Sequence, residues 1–172
     1  RKTSSSRLAP VTQTFITRSA KETQALGVAL AHAVEAGQVI ALVGDLGAGK
    51  TTFVQGLAAG LGVQGRVSSP TFMLANEYRT ASGDRLLHID TYRLADASAE
   101  AIDFGLEEIF DDASAVVAIE WADRIAALLP ADHLRIDLTA MPDDEEARAL
   151  QVCASGLASA QALARLVAAW NV

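Results

Sequence analysis

The sequence has one cysteine in 172 residues, which excludes an intramolecular disulfide and suits a reducing compartment. That residue, Cys153, lies in Leu150-Gln151-Val152-Cys153-Ala154, a strand-like run in which a small buried thiol is expected. Long hydrophobic runs are missing too. None approaches the ~20 apolar residues that a membrane span needs. The basic start, Arg1-Lys2-Thr3-Ser4-Ser5-Ser6-Arg7, has no apolar segment behind it, which excludes a secretory signal. The expectation is a cytoplasmic protein with a flexible tail over residues 1–10 and a single domain over 11–172. Positive charge is scarce: 14 Lys and Arg stand against 21 Asp and Glu, a formal net charge of -7. Such a surface repels phosphate backbones, which disfavours a stand-alone nucleic-acid binder; any link to RNA is expected to run through a partner.

What is present is a globular balance, 51% hydrophobic and 20% charged, in a chain long enough for a sizeable core. Val11–Thr17 alternates as a first strand. Ser19-Ala20-Lys21-Glu22 has capping-box spacing, and Leu26, Leu30, Ala33 and Val34 then share one face of a helix that Gly37 closes. Val39–Val43 is a continuous apolar run, the pattern of a central parallel strand buried on both faces. A helix from about Gly49 to Leu61 follows a glycine-rich turn. Arg66–Thr71 reads as a loop, Phe72–Tyr78 and Arg85–Asp90 as strands, and Ile102–Phe110 as helical. Ala115–Glu120 is another apolar strand, and Trp121–Leu129 a short helix stopped by Pro130. Leu134–Thr139 and Ala147–Ala154 form a hairpin whose acidic run, Asp143 to Glu146, is a solvated turn. A last helix after Gly156 carries Leu157, Ala160, Ala164 and Val167 on one face.

The turn Gly44-Asp45-Leu46-Gly47-Ala48-Gly49-Lys50-Thr51 matches G-x-x-x-x-G-K-[ST] in full, with a strand before it and a helix after it. Each residue type has a physical task. The glycines let the backbone wrap an anion with N–H groups inward, so Asp45, Leu46, Gly47, Ala48 and Gly49 are expected to line a nucleotide. The helix start adds free N–H groups and the positive end of its dipole. Lys50 supplies a point charge to the β and γ phosphates, Thr51 offers a hydroxyl to Mg²⁺, and Thr52 donates to the α phosphate. A nucleoside triphosphate and Mg²⁺ are the ligands implied.

Ligands of open α/β sheets sit at the carboxyl ends of the strands. Two further strands end there in acids: His88-Ile89-Asp90, and Ala118-Ile119-Glu120. A phosphate-loop enzyme needs a carboxylate near its metal and a group to orient water. Either Asp90 or Glu120 can serve Mg²⁺. Thr71, in Ser68-Ser69-Pro70-Thr71, stands where a residue sensing the γ phosphate is expected.

Gly44–Thr52, Ser69-Pro70-Thr71-Phe72, His88-Ile89-Asp90-Thr91-Tyr92-Arg93, Gly105-Leu106-Glu107-Glu108 and Ile119-Glu120-Trp121 occur in this order. In these segments the chain resembles the bacterial TsaE family, formerly the YjeE ATPases, from about Thr14 to Leu138. The resemblance implies an α/β P-loop NTPase sandwich: a mainly parallel central sheet with helices on both faces, closed by a C-terminal β-hairpin and helix. It implies an ATPase that works with TsaB and TsaD to make threonylcarbamoyladenosine beside the tRNA anticodon, docking on that pair and resetting it by hydrolysis. Carried over by position, Lys50 holds phosphates, Thr51 and Asp90 serve the metal, Thr71 is the switch threonine, Glu120 positions water or metal, and Trp121 sits beside the site. Asp123 departs from the family, which often carries Glu there.

Two other readings compete. The length and phosphate loop suit a small-molecule kinase, but Arg79, Arg85, Arg93 and Arg124 are scattered rather than gathered in a lid. A nucleotide-dependent switch is the third reading, and the lack of N-K-x-D disfavours guanine specificity.

Overall fold

The computed structural model describes residues 9–70 and 74–170. The first eight residues of the expected tail, and Thr71, Phe72 and Met73, lie outside that range. A seven-stranded sheet runs in the order β1-β7-β6-β2-β5-β4-β3. The strands are β1 (Val11–Thr17), β2 (Val39–Val43), β3 (Ala75–Arg79), β4 (Arg85–Asp90), β5 (Ala115–Glu120), β6 (Leu134–Met141) and β7 (Asp144–Ala154). The central four, β6, β2, β5 and β4, pair in parallel. The margins are antiparallel: β3 on β4, β7 on β6, and β1 on β7. The carboxyl ends of β2, β4 and β5 therefore meet at one edge, which is what brings the phosphate loop to the two acids.

Alternation along the strands feeds two cores. Ile40, Leu42, Leu86, Val116 and Ala118 face α1 (Ala20–Ala33), α2 (Lys50–Gly60) and α5 (Leu157–Trp170). Val39, Ala41, Leu87, Val117 and Ile119 face α3 (Ala97–Phe104), α4 (Leu106–Phe110) and the 3₁₀ helix Ala122–Leu128. Each fully buried Leu, Ile or Phe contributes about 1.5–3 kcal/mol through burial.

α1 starts as its spacing predicts: Ser19 Oγ accepts the Glu22 N–H at 3.1 Å. The Glu22 carboxylate reaches one residue further back than a capping box requires, to the Arg18 N–H at 2.7 Å. α1 lies on α2 with almost no side chain between them. A Cβ on Gly56 would stand 2.0 Å from the Gln24 carbonyl oxygen, and one on Gly27 2.4 Å from that of Phe53. This backbone contact fixes the helix that carries Lys50 and Thr51.

Several sequence-based boundaries shift. α1 ends at Ala33, before Gly37, which instead turns the chain into β2 with φ +95°. The Ile102–Phe110 helix is two helices parted at Gly105, whose φ of +90° a right-handed helix cannot hold. β6 and β7 run to Met141 and Asp144, so Asp144, Glu145 and Glu146 are exposed strand residues at a register break rather than a turn. On α5 the buried face is Ser159, Ala162, Leu163 and Leu166, while Leu157 and Ala164 are exposed. Cys153 is half-buried, not buried. Among the described residues no helix is long and apolar enough to cross a membrane.

Candidate nucleotide and metal site

α1 and α3 begin with side-chain caps, Ser19 and Asp96, and with an acid in the first turn. α2 has neither. Its N-cap is Gly49 at φ +103°, preceded by Gly47 at φ +79°, so the helix's first N–H groups are left for an anion. Arg148, from β7, fixes the loop's outer side by donating to the carbonyls of Ala48 (3.0 Å) and Gly47 (3.3 Å). In a trans peptide the N–H points opposite to the C=O. Holding the Ala48 carbonyl outward therefore aims the Gly49 N–H into the loop. Gly44 permits the approach of loop to sheet, since a Cβ there would meet the Leu138 carbonyl oxygen at 2.7 Å.

Lys50 is 4% exposed. Its ammonium donates to the carbonyls of Gly44 (2.6 Å) and Asp45 (2.8 Å) and lies 4.1 Å from the centre of the Trp121 ring. Burial pushes its pKa below the usual lysine value, against the pull of Glu120, Asp90, Asp45 and Asp123.

Glu120 is the hub. It is 3% exposed and ends β5. Its carboxylate accepts from Thr51 Oγ1 (2.9 and 3.0 Å) and Ser69 Oγ (3.1 Å) and lies 2.5 Å from His88 Nε2. Burial alone would raise its pKa. The His88 hydrogen bond and charge, with the Thr51 and Ser69 donors, outweigh burial and hold it below the ordinary carboxylate value. Asp90 stands opposite Glu120 in the β4–β5 register and accepts the Tyr92 N–H at 2.9 Å. Its pKa is raised, by burial first and then by the Glu120 charge, against the Tyr92 N–H, His88 and Lys50. Two neighbouring carboxylates thus shift in opposite directions, Glu120 below its ordinary value and Asp90 above it.

Lys50, Thr51, Thr52, Asp90, Glu120 and Trp121 line one cleft of about 530 Å³, together with Leu46, Gly47 and Gly49. Asp45 and Ala48 lie on the far side of the loop, where Asp45 contributes its carbonyl. Thr71 lies outside the described residues. Trp121 holds φ +60°, the one positive φ among the described non-glycine residues, and its ring lies 4.8 Å from that of Tyr92. A non-glycine residue held there costs on the order of 1 kcal/mol and belongs to sites whose surroundings enforce it. Asp123 is exposed on the 3₁₀ helix.

Sequence reasoning missed Ser69, His88 in its role on Glu120, and Arg148. His88 was accessible through period two, because it shares the face of β4 that Asp90 occupies. Nothing local marked Arg148. Among the scattered arginines, Arg79 donates to the Gly83 carbonyl, Arg85 to Asp112, and Arg124 to the carbonyls of Thr91, Tyr92 and Leu94. Arg93 lines the cleft.

The donors fit a hard divalent cation. Thr51, Glu120 and Asp90 offer oxygen only, as Mg²⁺ prefers. Among the described residues no three His, Cys, Asp or Glu side chains gather into a metal cage.

The model of the family described as threonylcarbamoyl adenosine biosynthesis protein TsaE matches residues 17–150. Relatives named tRNA threonylcarbamoyladenosine biosynthesis protein TsaE include that of Bacillus subtilis, 42% identical over 73% of this chain and 76% of its own length. That of Streptomyces coelicolor is 38% identical over 77% and 88%, and that of Treponema pallidum 40% over 74% and 92%. The crystal structure of Bacillus subtilis YdiB superposes with a TM-score of 0.78 at 32% identity, covering 93% of this chain and 97% of that one.

Proposed function

The chain belongs to the TsaE family of threonylcarbamoyl adenosine biosynthesis proteins, and from that premise we propose that it is a Mg²⁺-dependent ATPase of the P-loop class. It acts in the cytoplasm on the TsaB–TsaD complex, resetting that complex between rounds of tRNA modification and meeting tRNA only through it. One observation carries the reading: a buried carboxylate, Glu120, gathers Thr51, Ser69 and His88 in the cleft that Lys50 lines, at an uncapped helix start.

The residues divide the work. Lys50 and the inward N–H groups neutralise the β and γ phosphates, where charge develops as the terminal phosphoryl group leaves. Thr51, Glu120 and Asp90, which line the same cleft, would hold a Mg²⁺ ion. Bound there, Mg²⁺ supplies Lewis-acid charge to the phosphate oxygens. Thr71 senses the γ phosphate, and Glu120 orients the attacking water. Trp121 shields Lys50 from solvent, which strengthens its field.

The Glu120 carboxylate is already engaged by Thr51, Ser69 and His88, which weakens it as a base toward water. Basal hydrolysis is therefore slow, and the partners raise it. Phosphate release by the protein alone and with TsaB plus TsaD is the test. The expected result is at least tenfold stimulation, abolished by Lys50→Ala. No stimulation by partners proven active sinks the reading.

A further inference from the structure

His88 is fully buried behind the cleft rather than in its wall. It shares the face of β4 that Asp90 occupies and stands opposite Ala118 of β5, so Glu120 lies one pleat further on along the neighbouring strand. The short Ala118 side chain leaves the imidazole room to lean across, and Nε2 reaches Glu120 Oε2 at 2.5 Å. Nδ1 is buried too and has no hydrogen-bond partner among the described residues. An unpaired buried ring nitrogen costs stability. The ring bearing that cost makes its one polar contact, among the described residues, with Glu120.

The two oxygens of Glu120 are not equivalent. Oε2 receives His88 Nε2 and, at 3.1 Å, Ser69 Oγ. The Thr51 hydroxyl lies between the oxygens, 2.9 Å from Oε1 and 3.0 Å from Oε2, with Ser69 Oγ also in reach at 2.8 Å. A hydroxyl has one proton to give, and Thr51 and Ser69 can satisfy each other, so neither fixes the turn of the carboxylate. His88 has no such alternative. Oε1 is left with the Thr51 hydroxyl at most. We infer that His88 is a positioning residue: by anchoring Oε2 it dedicates Oε1, the less occupied oxygen, to the metal and water of the cleft. The inference rests on the reading of the cleft as a nucleotide and metal site, and it divides the labour within that site's central carboxylate.

Two amides separate the ring nitrogens. Glutamine carries its nitrogen near the place of Nε2 and asparagine near that of Nδ1, while both bury a similar polar group. His88→Asn is expected to lower partner-stimulated phosphate release about 10- to 100-fold, the usual result of losing a group that orients a metal-binding side chain, and His88→Gln to recover most of it. Calorimetry with the non-hydrolysable imido analogue of ATP gives a reading without turnover. His88→Asn loses most of the affinity that Mg²⁺ adds and keeps the wild-type affinity in EDTA, which also shows the fold intact. On a Glu120→Ala background the two amides become equivalent, because a residue that acts only through Glu120 has nothing left to orient. The inference is overturned if the amides behave alike with Glu120 present, if neither folds, if their difference persists on Glu120→Ala, or if affinity in EDTA falls as far as affinity with Mg²⁺. A wild type without Lys50-dependent hydrolysis or binding overturns the reading of the cleft and the inference with it. A wild type that passes that control while the amides behave alike overturns the inference alone.

Discussion

Opposite edges of the sheet each hold a carboxylate below its ordinary pKa, by different means. Before the amino end of β6, Asp132 accepts the N–H groups of Ala158 (2.9 Å) and Ser159 (3.0 Å) and so caps α5. Gly156 makes room for it, since a Cβ there would stand 2.3 Å from Asp132 Cγ. At the carboxyl edge, Glu120 is held by two hydroxyls and an imidazole. Backbone donors are locked by the helix they belong to, whereas a hydroxyl turns about a single bond and can be given up to an incoming ligand. The first arrangement is closed architecture; the second is an architecture that can open.

Glu120→Gln probes that distinction most severely. It keeps the shape and an acceptor but loses the charge, and partner-stimulated phosphate release is expected to fall on the order of a hundredfold or more while the chain stays folded. If instead hydrolysis persists and only stability falls, Glu120 is no different from Asp132. Asp132→Ala should do the reverse. Stability drops by about 1 kcal/mol, the usual worth of a helix cap, read from the urea midpoint at unchanged slope, and hydrolysis is untouched.

The smallest effect is in the pH dependence. Asp132 has a folded pKa below its ordinary value of 3.8. Its contribution is therefore complete above that value and disappears as the pH falls through the folded one, so wild-type and Asp132→Ala stabilities converge in acid. Asp90 carries the opposite sign. Its pKa is raised above 3.8, so its charge costs stability at neutral pH, and the cost is relieved as the pH falls toward the raised value. Asp90→Asn should leave the urea midpoint at pH 7 equal or slightly higher while impairing Mg²⁺-dependent hydrolysis.

Much of this was legible in the sequence because it is local. The loop with its strand and helix, Lys50, Thr51, and the acids at two strand ends follow from spacing and from one rule about parallel sheets. The meeting of Thr51 with Glu120 requires β2 and β5 to be neighbours, which no local pattern encodes. The same is true of Arg148, a hundred residues from the carbonyl it holds. Helix faces failed where side chains are small: α5 is alanine-rich, so its periodicity is shallow and the buried stripe was placed about one residue off. Glycine is a weak helix former, yet the missing side chain of Gly56 is what lets α1 touch α2.

Val11 pairs with Ala154 and Thr17 with Arg148, so during synthesis β1 must wait for the much later β7. Until that hairpin emerges, β1 has no neighbour, β2 lacks one flank, and no guanidinium restrains the loop. Contacts so distant along the chain close slowly, and an unfinished sheet edge invites association with other chains. A message truncated ahead of β7 would thus yield a phosphate loop with its lysine in place and its outer clamp missing: a product to be cleared by proteolysis rather than one that binds weakly and competes.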